Sequence, residues 1–496
     1  MASYVYKKFD SSELDLTDLT HSKYKKIDLF WHYEDRGLYQ LSGKTSWSSE
    51  HAGSNLGREG RTWNGITPSD LGKGGVITYS FPAWSEHSKN GYGDSGLSGL
   101  NTLQQKYAKA SLQAWADVAN ITFKELTGFD RQDADIKIGF YTATSPSDFN
   151  YGILPYTRDK SNAPTIDSWG NDTSGQVWLL HNNDNTNPTH NSYGAQVYTH
   201  EIGHALGLEH PASYNASDSV TPTYKISAQY AEDTNQFSIM SYFSEGSANY
   251  NSDFNGYYAS SPLMDDIAAI QYLYGKNNNA FSGDTTYGFN SNTNRDYLSA
   301  INDNAKLIFC AWDTNGIDTF DFSEYSANQR ININQGAFSD VGGLSGNISM
   351  MKGVNIENAI GGHGDDIIVG NSLDNIIKGG RGHDFIFGGT GSDILFGGEG
   401  NDTFAYSNVS ESTVMRPDWI KDFATGRDFI DLTGISRKLK VVNDFTGGAN
   451  EIVLKNEINT ATLSLDHNGH DITDKHWQPD LLIKITGHID VADVIV

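Results

Sequence analysis

A nine-residue repeat between Gly361 and Ala405 constrains the fold of this chain more than any other feature. Five consecutive units read GGHGDDIIV, GNSLDNIIK, GGRGHDFIF, GGTGSDILF and GGEGNDTFA. Each unit joins a glycine-rich turn to a short apolar stretch, the pattern of a parallel β-roll. A flexible Gly/Asn/Asp linker is the alternative, but a linker needs no regular apolar position. Here that position recurs in every unit, at Ile368, Ile377, Ile386, Leu395 and Phe404.

Four of the five units also carry an aspartate after the turn, at Asp366, Asp384, Asp393 and Asp402. In such a roll the turn carbonyls and the aspartates face inward, and neighbouring turns on one side together complete a calcium shell. The second unit departs, because Asn371, Leu373 and Asn375 replace Gly, Gly and Asp. We expect incomplete occupancy of any site sharing that turn. Calcium should act as a folding ligand, because these oxygens repel one another without it.

The overall charge and the cysteine count exclude several classes of protein. With 35 Lys+Arg and 61 Asp+Glu the net charge is −26. Such a chain is a poor partner for nucleic acid or anionic membranes and a good one for cations. A single cysteine, Cys310, excludes an intramolecular disulfide and a multi-cysteine zinc site. We expect no membrane span and no conventional amino-terminal secretory signal, since no sufficiently long apolar run occurs.

Hydrophobic periodicity predicts strands followed by helices in the first half of the chain. We predict strands at Val76–Phe81, Ile121–Leu126, Ile136–Tyr141 and Val177–Leu180. Two helices are predicted at Asn101–Val118 and Ala195–Leu206, the second ended by Gly207. A third helix should open at Ser261-Pro262, with Pro262 at its first position, Asp265 and Asp266 in its first turn, and its end near Gly275.

The segment HEIGHALGLEH carries the most specific chemistry in the sequence. His200 and His204 are four residues apart, so on a helix they share one face and can hold one ion. Gly207 lets the chain turn back, and His210 can supply a third nitrogen. Three imidazoles leave zinc an open position for water, the layout of a catalytic site. Glu201 follows the first ligand and is placed to take a proton from that water. A surface helix with incidental histidines is the alternative.

Downstream, Ser238-Ile239-Met240-Ser241-Tyr242 completes a recognisable combination. HExxHxxGxxH followed by a methionine turn is the metzincin signature. With His210-Pro211 and the glycine-aspartate repeats, the chain resembles the serralysin family of secreted bacterial metalloproteases over roughly residues 25–496. The resemblance implies one zinc ion, a zinc-dependent endopeptidase of broad specificity, and a hydrophobic floor at Met240. It also implies that Tyr242 ligates zinc at rest and stabilises the oxyanion during catalysis.

The resemblance sets the expected architecture and the way substrate binds. The fold class is α+β: a metzincin zinc-protease domain followed by an all-β domain with a parallel β-roll. We expect a candidate leader at 1–20, the protease domain at 21–265 with a bridging helix at 262–275, and a calcium-binding β-roll and β-sandwich domain at 276–496. The family holds an extended peptide on an edge strand, a role we assign to Val177–Leu180.

The resemblance also implies several calcium ions. Before the roll, the candidate ligands are Phe281, Gly283, Thr285, Asp313, Asn315, Gly316, Asp318, Asn355 and Glu357. The family usually has arginine at the position of Phe281, so a side-chain role is lost there. Each of these small segments, taken alone, also fits a solvated turn. Within the roll the candidates are Gly362, Gly364, Asp366, Gly379, Gly380, Arg381, Gly382, His383, Asp384, Gly388, Gly389, Thr390, Gly391, Asp393, Gly397, Gly398, Glu399, Gly400 and Asp402.

The family is exported to the extracellular medium by an ABC-type apparatus that reads a C-terminal signal, and Asp493-Val494-Ile495-Val496 fits its ending. The expected partners are protein and peptide substrates, this apparatus and a proteinaceous inhibitor, with the protease itself a monomer. One alternative is a calcium-dependent adhesin with an inactive metal site, against which intact Glu201 and Tyr242 argue. A lipase is the other, but GGLSG at Gly342–Gly346 lacks the spacing of a nucleophile elbow.

Overall fold

The computed structural model describes residues 36–65, 67–85, 87, 95–142, 175–214, 221–248, 250, 252–471, 473–474 and 476–496, and the backbone of 151–152. The candidate leader at 1–20 lies outside the described residues. Among the described helices, none combines the length and the apolar character required to cross a bilayer.

Four of the six described α-helices begin at a polar side chain that caps the helix: Ser48, Asn101, Asn182 and Ser192. The α-helices are Ser49–Leu56, Thr102–Val118, Asn183–Thr186, Tyr193–Ala205, Tyr224–Ser227 and Met264–Tyr274. Short 3₁₀ turns are Gly128–Asp133, Glu245–Ala248, Asp296–Leu298, Val409–Glu411 and Val491–Asp493. The Asn101 side chain accepts from the Gln104 amide at 3.0 Å, and the Gln104 side chain accepts from the Asn101 amide at 2.8 Å. This reciprocal capping satisfies two amides at the helix start. Both predicted helices of this region are confirmed.

The third helix begins later than predicted. It runs Met264–Tyr274, so Pro262 lies before the helix and not at its first position. The reason is that Asp266 Oδ2 accepts from the Leu263 amide at 2.9 Å and makes Leu263 the capping residue. Asp265 and Asp266 do lie in the first turn, and Gly275 ends the helix with a φ of 79°.

A five-stranded main sheet, with one attached strand, supports the first half. Its strands lie in the order Ile121–Glu125, Gly75–Ser80, Ile136–Thr142, Gln176–Leu180 and Tyr151–Gly152, and Ser95–Ser98 pairs with Ile136–Thr142. All pairings in the main order are parallel except that of Tyr151–Gly152. The prediction that Val177–Leu180 is an edge strand is therefore wrong. It is flanked on both sides, and among the described residues the short antiparallel strand Tyr151–Gly152 is the outermost strand next to it.

In the second half, alternate repeat units lie in two different sheets. The strand Ile367–Val369 pairs in parallel with Phe385–Phe387, and Ile376–Arg381 pairs in parallel with Ile394–Glu399. In both sheets the partner of a residue is therefore the residue 18 positions later, two repeat units along. Between the sheets lie the apolar-slot residues, all at most 1% exposed: Ile368, Ile377, Ile386, Leu395 and Phe404.

The two large sheets extend beyond the repeats on both sides. One has ten strands, in the order Lys440–Val442, Glu451–Asn456, Thr460–Asp466, Leu481–Thr486, Asp418–Ile420, Ile394–Glu399, Ile376–Arg381, Asn358–Ile360, Thr319–Asp321 and Thr286–Gly288. The other has six, in the order Arg330–Asn332, Ile367–Val369, Phe385–Phe387, Thr403–Ala405, Phe429–Asp431 and Val494–Ile495. Smaller sheets pair Gln40–Leu41 with Lys44–Thr45, and Ile348–Met350 with Phe309–Ala311 and Phe338–Ser339.

The two halves share one hydrophobic core, which runs from the first sheet through the Met264–Tyr274 helix to the paired sheets. A partly buried ion pair reinforces the contact: Arg295 in the second half binds Asp117 on the Thr102–Val118 helix at 2.6 Å. The zinc-motif helix Tyr193–Ala205 packs between the first sheet and the Thr102–Val118 helix. It is therefore held on several sides, as a precise site requires.

Candidate metal centre

Three histidines converge at the end of the Tyr193–Ala205 helix. His200 and His204 lie one turn apart, and the chain then reverses at Gly207, whose φ is 106°. A Cβ at Gly207 would lie 2.2 Å from the Arg61 carbonyl oxygen, so only glycine fits this turn. The reversal returns His210, and one ring nitrogen from each histidine lies within 4.8 Å of the others.

Backbone carbonyls orient all three rings. His200 Nδ1 lies 2.7 Å from the Ile239 oxygen, His204 Nδ1 2.7 Å from the Leu208 oxygen, and His210 Nδ1 2.9 Å from the Tyr214 oxygen. A carbonyl only accepts, so each Nδ1 carries the proton and each Nε2 presents a lone pair. Such partners fix the tautomer and ring orientation of a metal-ligating histidine.

The chemistry of this donor set fits a cation. His204 Nε2 and His210 Nε2 are 3.1 Å apart, and two lone pairs at that distance repel unless a positive charge lies between them. Burial lowers the pKa of His200 to about 4 and, with the neighbouring His200, lowers that of His204 to about 3. The pKa of His210 is also well below its usual range, chiefly through burial. All three are thus neutral ligands at neutral pH.

Glu201 lies beside this triad and is 5% exposed. With His200 and Tyr242 it lines a cleft of about 670 Å³. The cleft is also bordered by Tyr193 and Tyr257. A carboxylate at the wall of an open cleft, next to a candidate metal ligand, can exchange protons with a water or substrate held there.

Met240 packs against the helix that carries His200 and His204, and Tyr242 lies beside His210. Met240 is fully buried in the core, and a Cβ on Gly203 would approach its sulfur to 2.9 Å. The absence of a side chain at Gly203, which sequence reasoning did not identify, therefore lets the methionine pack closely against the zinc-motif helix. The Tyr242 ring is 4.4 Å from that of His210 and 6.2 Å from that of His200, and the residue is 37% exposed.

Two buried aspartates that sequence reasoning missed hold the loops around the triad. Asp266 accepts from the Ser238 hydroxyl at 2.6 Å and from the Ile239 amide at 2.8 Å. Asp233 accepts from the Tyr214 hydroxyl at 2.8 Å and the Ser241 hydroxyl at 2.7 Å. In the sequence, the acidic pair at the helix start indicates only where a helix begins. The partners of Asp266, 27 and 28 residues away, cannot be inferred from spacing.

The repeat aspartates form a ladder at the turns of the paired sheets. Asp384 Oδ1 accepts from the Asp366 amide, Asp402 Oδ1 from the Asp384 amide, and Asp393 Oδ1 from the Asn375 amide, all at 2.9 Å. Among the described residues, the Oδ2 atoms of Asp384, Asp393 and Asp402 are buried and have no hydrogen-bond partner. Burial raises the pKa of Asp384 to about 9 and that of Asp366 to about 7. A cation at these oxygens would relieve this desolvation.

The turns between these aspartates bring the backbone of one repeat unit close to carbonyls of the unit two positions earlier, which lies next to it in the same sheet. A Cβ on Gly380 would lie 2.2 Å from the Gly362 oxygen, and one on Gly398 would lie 2.0 Å from the Gly380 oxygen. Both glycines have positive φ, 117° and 102°. The side chains at the turn tips face outward: Arg381 pairs with Glu399 at 3.5 Å across exposed surface, and His383 Nδ1 accepts from the Asn401 amide at 2.9 Å. Arg381 and His383 are predicted calcium ligands, and the backbone carbonyl is therefore the group through which each could bind a cation.

The divergent second unit closes its turn with side-chain amides. Asn375 Nδ2 donates to the Glu357 carbonyl at 2.9 Å and to Asn371 Oδ1 at 3.0 Å. Asn371 Nδ2 donates to the carbonyls of Ile333 at 3.0 Å and Ile356 at 2.8 Å. Protein donors thus occupy oxygens that an aspartate-glycine turn would leave for an ion.

The ladder continues past the last repeat. Asp418 Oδ1 accepts from the Asp393 amide at 2.9 Å, and Asp428 Oδ1 from the Asp402 amide at 3.1 Å. Both aspartates are at most 2% exposed. Sequence reasoning missed them because the spacing rises to 25 and 26 residues, outside the nine-residue period.

Before the nine-residue repeats, several predicted oxygens come together around Asp318. Its Oδ1 accepts from the Thr285 amide at 2.8 Å, and its own amide donates to Glu357 at 2.8 Å. Burial and neighbouring carboxyls, Asp313 first, raise the pKa of Asp318 to about 8. Asn355 is engaged elsewhere, since its side-chain oxygen accepts from Gln335 at 2.9 Å.

The other predicted positions in this region meet through their backbones. A Cβ on Gly316 would lie 2.5 Å from the Gly283 oxygen, so the two loops are in direct contact. Asn315 donates its amide to Asp313 at 3.1 Å. The Phe281 ring lies 5.9 Å below the Arg295 guanidinium. A positive charge is thus supplied from another position, close to the residue where the family has arginine.

Comparison with known proteins agrees with the geometry of both halves. Residues 98–242 match the matrixin family model, and residues 276–496 match the model described as the serralysin C-terminal region of peptidase M10. The matrixin match contains His200, Glu201, His204, His210 and Tyr242. The fold and this site define the protein as a metalloendopeptidase of the zinc-dependent class.

Curated relatives match along almost the whole chain. Serralysin C of Dickeya chrysanthemi is 46% identical over 492 residues, covering 98% of both chains. Serralysin A of the same organism is 47% identical over 480 residues, covering 96% of both. Metalloprotease AprA of Pseudomonas entomophila (strain L48) is 44% identical over 490 residues, again covering 96% of both. The chain belongs to the serralysin family.

Proposed function

We propose that this protein is a secreted endopeptidase of broad specificity that uses one zinc ion for catalysis and several calcium ions for stability. The observation that carries the proposal is the convergence of three neutral imidazoles, each with its Nδ1 bound to a carbonyl, beside a carboxylate in an open cleft. His200, His204 and His210 would hold the zinc. Bound there, zinc polarises the scissile carbonyl and lowers the pKa of a water molecule.

The chain's own residues supply proton transfer and oxyanion stabilisation. Glu201 accepts the proton of the attacking water and returns it to the leaving amine. Tyr242 is partly exposed beside His210, so its hydroxyl can donate a hydrogen bond to the carbonyl oxygen as that oxygen becomes negative. Tyr242 would also help to hold the zinc when no substrate is bound.

Broad specificity follows from recognition of the peptide main chain. Among the described residues, the outermost strand of the first sheet on the side of Gln176–Leu180 is Tyr151–Gly152, which runs antiparallel to that strand. A substrate in extended conformation would add a strand at this edge and enter the cleft beside Glu201. Main-chain hydrogen bonds do not depend on side-chain identity, so many protein sequences would bind.

We further propose that the paired sheets of the second half are a calcium-binding parallel β-roll. The buried Oδ2 atoms of Asp384, Asp393 and Asp402, without partners among the described residues, support this assignment. Hard cations with flexible oxygen coordination suit such carboxylate and carbonyl sets. Asp418 and Asp428 extend the proposed ligand set, because they repeat the same amide–carboxylate contact.

We propose that an ABC-type apparatus exports the chain by reading the segment Asp493-Val494-Ile495-Val496. Val494–Ile495 pairs with Phe429–Asp431, and Asp493 is 1% exposed. A terminal signal in this sheet is accessible to an ABC-type exporter only before the sheet forms. Low intracellular calcium would keep the chain unfolded for export, and calcium outside the cell would fold it. Secretion of a variant lacking the last four residues at the wild-type level would refute this route.

Casein hydrolysis by the purified protein tests the enzymatic proposal. We expect activity that a zinc chelator removes. We expect the Glu201→Gln variant to bind zinc normally but to be at least about 1,000-fold less active, as is typical when an enzyme loses a catalytic side chain. Full activity in both tests would contradict the proposal. Zinc binding without hydrolysis in the wild type would favour the alternative, a calcium-dependent binding protein with an inactive metal site.

A further inference from the structure

We propose that the outer face of the ten-stranded sheet binds an anionic polysaccharide. Along the central strands, buried residues such as Ile377, Leu395, Ile420 and Ile483 point into the core. The alternate side chains therefore point outward. We define the outer face by these outward side chains: Ile376, Lys378, Ile394, Phe396, Trp419, Lys421 and Lys484.

The register of the strands arranges these side chains in straight rows. Ile376 lies opposite Ile394, Ile394 opposite Trp419, and Trp419 opposite Lys484. The row continues to Thr462 and Lys455. Strands are spaced by ~4.8 Å, so a row across these six strands is about 24 Å long. A flat row of this length fits an extended polymer better than a compact small molecule.

The charge of the outer face is opposite to that of the whole chain. The seven side chains include Lys378, Lys421 and Lys484 and no acid, in a chain of net charge −26. Farther along the same side of the sheet, Glu451 and Asp466 are fully buried and are bonded to Lys440 and His470, respectively. Among the described residues, none of the three lysines forms an ion pair. Lys421 Nζ lies 3.0 Å above the Trp419 ring and Lys378 Nζ 5.7 Å above that of Phe396. Cation–π contacts hold an ammonium in place without neutralising it.

Acids near the face are already paired at its rims. Asp374 forms an ion pair with Arg416, and Glu399 with Arg381. The lysine charge therefore remains available to an anionic partner, and clustered charge of one sign attracts a polyanion even when the total charge does not.

The apolar part of the face favours sugar rings over a membrane or nucleic acid. Ile376 and Trp419 are only 39% and 38% exposed, so most of each side chain is already covered and little apolar surface remains to insert into a bilayer. Trp419 is also fixed, because its Nε1 donates to the Thr486 hydroxyl at 2.8 Å. The exposed parts of Ile376 and Trp419 would contact the C–H faces of sugar rings. The lysines would pair with carboxylate or sulfate groups.

Binding to immobilised dextran sulfate, with unsulfated dextran as the matched polymer, tests this proposal at constant calcium. We expect binding to dextran sulfate alone, weakened by added salt. The Lys378→Glu/Lys484→Glu variant should bind at least tenfold more weakly. The Lys352→Glu/Lys438→Glu variant, which has the same charge change at exposed positions elsewhere in this half, should bind within twofold of wild type. Unchanged casein hydrolysis and circular dichroism would show that both variants fold.

Three results would overturn the proposal. Equal weakening in the two variants would mean that only the total charge matters. Equal binding of dextran would remove the need for an anion. Equal or tighter binding of duplex DNA, or of vesicles containing phosphatidylglycerol, would assign the face to another class of partner.

Discussion

Asp266 and His200 are joined through the backbone of a single residue, Ile239. Asp266 Oδ2 accepts from the Ile239 amide at 2.8 Å, and His200 Nδ1 lies 2.7 Å from the Ile239 carbonyl oxygen. Asp266 also accepts from the Ser238 hydroxyl and the Leu263 amide. One buried carboxylate thus positions the methionine turn, and through it a ring of the metal centre.

We expect Asp266→Asn to weaken zinc binding and to lower kcat/KM by about tenfold. This is the lower end of the loss that follows when a residue orienting a metal ligand is replaced. Asparagine keeps one acceptor oxygen but places an NH₂ group against amide donors. Competition with a chelator measures zinc affinity directly. Asp265→Asn is the matched control: Asp265 pairs with Arg36 at 2.7 Å, so its loss should reduce thermal stability and leave zinc affinity unchanged. Equal zinc affinity in Asp266→Asn and wild type would contradict the positioning role.

Tyr242→Phe should lower kcat about 100-fold with little change in KM, because the lost hydroxyl acts on charge that develops in the transition state. Steady-state kinetics on a fluorogenic peptide measures both constants. Tyr193→Phe changes another partly exposed tyrosine of the same cleft and should leave kcat within threefold. Similar kinetics for both variants would remove Tyr242 from the mechanism.

Without calcium, the second half should lose stability as pH rises from 6.5 to 8.5. Burial raises the pKa of Asp384 to about 9 and of Asp393 to about 7, whereas unfolded aspartates titrate near 3.8. The folded state therefore binds more protons in this window, and the stability held at low pH is lost as pH passes the folded pKa values. The zinc-site histidines oppose this trend weakly: their pKa values are lowered in the folded state, so only the unfolded state still loses protons from them near pH 6.5, which adds a little stability at the start of the window.

The melting temperature of calcium-free protein, followed by circular dichroism, measures this effect. We expect a fall of at least about 5 °C across the window, a few kcal/mol for a domain of this size. Calcium at pH 8.5 should restore the lost stability, and Asp384→Asn should reduce the pH dependence. A calcium-free melting temperature that is constant from pH 6.5 to 8.5 would refute the prediction.

Asn375→Asp should make the second repeat unit depend on calcium. The substitution removes the donors to the Glu357 carbonyl and to Asn371, and it places carboxylate oxygens against them. We expect calcium-free protein to lose about 1–3 kcal/mol of stability, with a smaller loss at saturating calcium. Ser372→Asp adds the same charge at an exposed position of the same turn and should cost little. Equal stability of the two variants without calcium would show that the amides of Asn375 are dispensable.

The sequence alone determined the chemistry that depends on local spacing. His200, Glu201 and His204 are fixed by one helical turn, and His210 by the glycine turn after it. The nine-residue period placed the apolar slot and the four repeat aspartates, because each depends only on neighbours along one repeated unit. Helix positions were predicted closely for the same reason.

Only the tertiary structure decided what depends on distant parts of the chain. It placed Val177–Leu180 inside the first sheet, with Tyr151–Gly152 paired beyond it in the described part of the chain, because a strand's place in a sheet depends on which partners flank it. It assigned Asp266 to the metal centre, and it continued the aspartate ladder to Asp418 and Asp428 over irregular spacings. It also aligned lysines and apolar side chains from four strands into one outer face, since strand register is set by pairing and not by sequence order.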